Sequence, residues 1–183
     1  MTTFQATLAH DRRFALLGVL GFVLALAAAA QVAIPLPGTP VPVTLQPLIV
    51  VLAGLMLGPT LGAASMVTYL ALGAVGLPVF APIGAPGIAR LMGPTGGYLI
   101  AFPFAAFAAG FVVARNASLL RRWLGAMLGM ALIFVGGISQ LTILTGSLGQ
   151  AIALGVTPFA LLDILKALVA ALIARPRVRS PQD

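Results

Sequence analysis

Asp163 and Lys166 sit where charge is expensive. Both fall inside "PFALLDILKALVAALIA" (158–174), a stretch that is otherwise apolar, and Lys166 is the only lysine in the chain. On a helix, positions three apart share a face, so the two side chains can meet. Each would cost about 2.5–3.5 kcal/mol near the middle of a membrane, and pairing offsets part of that. One reading is a self-satisfied ion pair that steadies helix packing. The other is a ligand site. A carboxylate accepts hydrogen bonds and an ammonium group donates them. Side by side they suit a ligand with adjacent N–H and C=O groups. Arg90 adds a guanidinium, which suits a carboxylate. A small anionic molecule with an amide-like head fits all three.

Other chemistries lack their residues. The chain has no cysteine, so it offers no thiolate nucleophile and no Cys-ligated metal. Lys166 follows Leu165, so no phosphate-binding G-x-x-x-x-G-K-[ST] loop exists. His10 is the only histidine and lies in the N-terminal tail without neighbouring ligands. An aspartyl dyad would need a second intramembrane Asp. Ser65, Ser139 or Ser147 could in principle join Lys166, but no spacing supports a Ser–Lys dyad. "GPTGG" (93–97) is open to two readings, an anion-binding nest or a tight turn at a helix start. No enzyme, no cofactor and no metal site is expected.

The elements that must position these groups are read from composition. Of 183 residues, 61% are hydrophobic and 7% charged, against about 25% charged in a soluble domain. Such a chain cannot cover a water-facing surface. It is expected to be all-α, a polytopic membrane protein forming one integral domain over 1–183. The candidate spans are 14–33, 46–57, 60–75, 95–114, 123–145 and 158–174, the second and third short and separated at Gly58-Pro59. The apolar run 14–34 follows His10, Arg12 and Arg13 but is too long for a typical signal peptide.

Six spans put both termini on one side. Arg12, Arg13, Arg115, Arg121, Arg122, Arg175, Arg177 and Arg179 then share that side, and Arg90 alone falls opposite. The positive-inside rule makes the eight cytoplasmic, with tails 1–13 and 175–183 inside. The net charge of +7 is thus topological. It can attract anionic membrane lipid, and a nucleic-acid partner is not expected. Two outer loops are unusual. "IPLPGTPVPVTLQP" (34–47) has five prolines, and "GLPVFAPIGAPGIARLMGPTGG" (76–97) is rich in Gly and Pro. Both are expected to fold over the outer mouth of the bundle, because irregular backbone at membrane depth needs protein or a cavity around it. "GSLGQAIALGVTP" (146–158) can hold a short interfacial helix.

"VPVTLQP" (41–47), "YLALGAVGLPVFA" (69–81), "ARLMGPTGGYLIAF" (89–102) and the Asp-x-x-Lys of the last helix resemble, in order, the BioY family. Its members are biotin-binding S components of energy-coupling factor (ECF) transporters. The resemblance implies the six-helix S-component fold in the inner membrane of a prokaryote. It also implies high-affinity biotin capture, a lid formed by the first outer loop, and a partner module. That module comprises a transmembrane T component and ATP-binding subunits. Asp163 and Lys166 would then recognise the ureido ring and Arg90 the carboxylate. Phe80, Tyr98 and Phe159 are candidates to face the rest of biotin, and Thr44 and Gln46 are polar candidates on the lid. Gln140 can equally make an interhelical hydrogen bond. The stretch "PIGAPGIA" (82–89) departs from the Gly-rich pattern of many members. Gly21, Ala25, Ala29 and Ala33, four apart, form a stripe of small side chains. S components present an Ala-x-x-x-Ala face to their partner, which makes Ala25 and Ala29 the docking candidates. An S component for another small vitamin and a non-transporting scaffold subunit are the alternatives.

Overall fold

A computed structural model describes residues 2–113 and 117–174, with side chains from Arg13 onward. Among the described residues there are eight helices and no strand. They are α1 (Thr2–Gln31), α2 (Gln46–Leu57), α3 (Pro59–Ala74), α4 (Ala89–Met92), α5 (Gly96–Val112), α6 (Leu119–Thr145), α7 (Leu148–Gly155) and α8 (Ala160–Ile173). Six of them answer to the six expected segments, and α7 is the short outer helix foreseen in 146–158. The first helix begins well before residue 14, so much of the expected N-terminal tail is helical. The C-terminal tail 175–183, Arg115 and the side chains of His10 and Arg12 lie outside the described residues.

Local chemistry sets the boundaries. Gly58 takes φ 84°, a left-handed conformation open to glycine, and Pro59 follows it at the first turn of α3. Ser118 caps α6 by accepting from Arg121 N at 3.3 Å, and Ser147 caps α7 by accepting from Gln150 N at 3.4 Å. Among the described residues, only the 13–31 stretch of α1 and the whole of α6 are long and apolar enough alone to cross a membrane. Helices α7 and α8 meet at a 54° bend and together make a third such length.

The core follows membrane packing rules. Leu17, Leu24, Phe104, Phe111, Ile143, Leu161 and Leu172 are exposed, while alanines and glycines fill the interior. Small residues let backbones approach closely, which drives association where lipid removes the hydrophobic advantage. A Cβ on Gly97 would stand 2.1 Å from Gly136 O, so α5 and α6 touch backbone to backbone there. Helix α8 turns Asp163, Ala167, Ala170 and Ala171 inward, against α2 and α6.

Candidate functional site

The 34–47 loop is a stiff hairpin rather than a strap. Ile34 and Val43 exchange both backbone hydrogen bonds at 2.9 Å, closing its base. At its tip, Thr39 Oγ1 donates to Leu154 O at the end of α7, at 2.7 Å. Val41, between base and tip, is buried in the core. The hairpin therefore lies closed across the bundle.

The second loop is held by side chains that bind its carbonyls. Gln31 Nε2, on α1, donates to Phe80 O at 3.3 Å, and Tyr69 Oη donates to Val79 O at 3.0 Å. Arg90, on α4, donates through Nη1 to Ile83 O and through Nη2 to Ala81 O. Its Nε is buried without a hydrogen-bond partner among the described residues. Arg90 thus pins the loop and, among the described residues, keeps three of its five N–H groups uncommitted.

Under the two loops lies a cavity. It is lined by Val41, Pro42, Thr44, Gln46 and Pro47 from the lid and α2, and by Phe80, Ala81 and Arg90 from the second loop. Tyr98, Leu99 and Phe102 line it from α5 with Thr95 just before that helix, Ile133 and Phe134 from α6, and Asp163 and Lys166 from α8 with Phe159 just before that one. A mostly apolar wall with a few convergent polar groups is the usual form of a small-molecule site. All six ligand-binding candidates read from the sequence (Asp163, Lys166, Arg90, Tyr98, Thr44, Gln46) meet in this space, as do Phe80 and Phe159.

The charged pair is formed. Lys166 Nζ lies 2.6 Å from Asp163 Oδ1, with side-chain exposures of 12% and 6%. The contact occupies one carboxylate oxygen and one of three ammonium protons. Asp163 Oδ2 and two N–H groups of Lys166 have no hydrogen-bond partner among the described residues. Helix α8 begins at Ala160, two residues later than Pro158, so Asp163 sits in its first turn. There the helix dipole favours a carboxylate.

Other candidates separate cleanly. Tyr98 Oη donates to Gly155 O at 2.8 Å, and a Cβ on Gly137 would overlap its ring at 2.1 Å. Gln140 lies outside the cavity and donates to Met92 O at 3.1 Å, which ties α6 to the turn before α5. Ala29 is buried and Ala25 half-buried, whereas Gly21 at the start of that stripe is exposed. Sequence reasoning missed Thr95, in the turn before α5, and the apolar lining from Leu99, Phe102, Ile133 and Phe134, because apolar residues that line a cavity read like any others in an apolar helix. It also missed Tyr69, whose contacts are described below.

Residues 5–182 match the sequence model of the BioY family. The chain belongs to that family. It is 44% identical over 153 residues to a protein of Pyrococcus horikoshii described as a probable biotin transporter BioY, covering 84% of this chain and 89% of the relative. It is 39% identical over 141 residues to a biotin transporter BioY of Thermotoga maritima, covering 77% of this chain and 83% of the relative. A crystal structure of the S component for biotin from an ECF-type ABC transporter superposes with TM-score 0.80 at 27% identity, over 95% of this chain and 92% of that one. The BioY family is thus a family of transport proteins, and the all-helical S-component fold expected from the sequence is the one found.

Proposed function

We propose that this chain captures biotin at the outer face of a prokaryotic plasma membrane, as the S component of an ECF transporter. The observation that carries the reading is the Asp163–Lys166 pair, which turns unused polar atoms toward a cavity also lined by Arg90. The ureido ring of biotin has two N–H donors flanking one C=O. Asp163 Oδ2 accepts one N–H and Lys166 serves the carbonyl. Arg90 binds the carboxylate with N–H groups left over from holding its loop. Tyr98, Phe80 and Phe159 pack along the ligand, and Thr44 and Gln46 meet it from the lid. The Ile34–Val43 hairpin opens to admit it.

The chain is one integral membrane domain, with residues 1–13 and 175–183 on the cytoplasmic side. Without a phosphate-binding loop it takes its energy from a T component and ATP-hydrolysing subunits. Helix α1 docks to the T component through the open part of its small-residue stripe, Gly21 and Ala25. Calorimetric titration of the purified protein with biotin tests the reading. Saturable one-to-one binding is expected. A folded protein that ignores biotin but binds another small vitamin would refute it.

A further inference from the structure

Tyr69 does not line the cavity, yet it contacts two residues that do, Phe80 and Gln46. It is fully buried on α3. Its ring meets Phe80 edge-on, with centroids 5.4 Å apart at 72°. Its hydroxyl accepts from Gln46 Nε2 at 2.9 Å and donates to Val79 O at 3.0 Å. The polarity of this relay is fixed at one end. A backbone carbonyl only accepts, so the Tyr69 proton is committed to Val79. The phenolic oxygen then offers Gln46 only lone pairs, and Gln46 must turn its NH2 toward it. That sends Oε1 toward Thr44, whose hydroxyl donates to it at 3.3 Å and accepts from Gln46 N at 3.3 Å. A carboxamide whose two ends are alike in shape thereby takes one orientation.

We propose that Tyr69 is a positioning residue for ligand recognition that acts through Gln46. It decides which end of the Gln46 amide donates. After the internal bonds, Gln46 keeps one N–H and one lone pair on Oε1, in fixed directions. A ligand group of matching polarity is accepted there and one of opposite polarity is refused. The ligand side of this inference rests on the reading of the cavity as a biotin site.

Two variants test it. Tyr69→Phe keeps the ring and its contact with Phe80 and removes only the hydroxyl. Gln46→Met nearly conserves volume and removes the amide. The first arm uses no ligand. NMR in micelles follows solvent exchange of the Gln46 side-chain amide protons, assigned by their loss in Gln46→Met. Exchange is expected to be slow in the wild type and at least about tenfold faster in Tyr69→Phe. Equal rates would overturn the relay. The second arm is a biotin titration. Tyr69→Phe is expected to weaken binding about tenfold in the wild-type background and by less than about twofold in Gln46→Met, because the effect passes through Gln46. Losses that multiply in full would overturn it. A wild type that fails to bind biotin refutes the biotin reading alone, since the exchange arm still decides the relay.

Discussion

Asp163 and Lys166 depend on each other, and so does any ligand that meets them. Asp163→Asn replaces a charge-assisted acceptor by a neutral amide and leaves Lys166 as an uncompensated ammonium in a low-dielectric site. Biotin binding should weaken by about 2–4 kcal/mol in calorimetry, with the protein still folded by circular dichroism. Unchanged affinity would make the pair purely structural. Arg90→Ala should weaken free biotin more than a biotin amide, because only the free acid carries the charge. Both should lose something, since the loop carbonyls of Ala81 and Ile83 lose their donor. Titrating the one variant with the two ligands separates these effects. The pair was legible in the sequence because charge three residues apart inside an apolar run is conspicuous without any knowledge of the fold. Tyr69 was not. Its role depends on Gln46 and Val79, which chain folding alone brings to its hydroxyl, and a tyrosine in an apolar helix carries no local mark of that.

Proline told that the lid would be stiff, since it fixes φ and removes donors. It did not tell where the tip would be held, because Thr39 and Leu154 are 115 residues apart. In the proposed lid, the Thr39 hydroxyl would serve as the latch, and Val41 would leave the core as the hairpin lifts. Thr39→Val should therefore speed biotin dissociation about tenfold in stopped-flow chase experiments, and Thr39→Ser should restore it. A mobility probe belongs at Pro40, which leaves the latch intact. Short elements were legible unevenly. The segment 146–158 was legible as able to hold a short helix, and α7 lies there. The four residues of α4, set between Gly and Pro on both sides, were hidden in a segment whose composition says only that it turns.

The six apolar runs were visible in composition. What composition could not supply was the rotation of each helix. The stripe Gly21–Ala33 is a case: Ala29 faces the core, and Gly21 has nothing within 4 Å of where its Cβ would stand. Gly21→Trp should accordingly leave biotin titration unchanged while preventing copurification with the coupling subunits. Ala29→Trp should instead damage biotin binding and the unfolding midpoint, as an oversized side chain in a packed core does. The helices also differ in length, and that bears on the membrane itself. At 1.5 Å per residue, the 27 residues of α6 reach about 40 Å, but the 16 of α3 and 17 of α5 reach only about 24 and 26 Å. The hydrocarbon layer is about 30 Å thick. If α3 and α5 meet the lipid over their own lengths, a local thinning of the layer would match that short flank, at fractions of a kcal/mol for each ångström of mismatch. A neighbour with equally short spans, set against that flank, would share one dip in place of two. The bilayer's elasticity then becomes an attraction between the two proteins that needs no contact residue. Reconstitution in phosphatidylcholines of increasing chain length should show association with the coupling partner strengthening as the layer thickens.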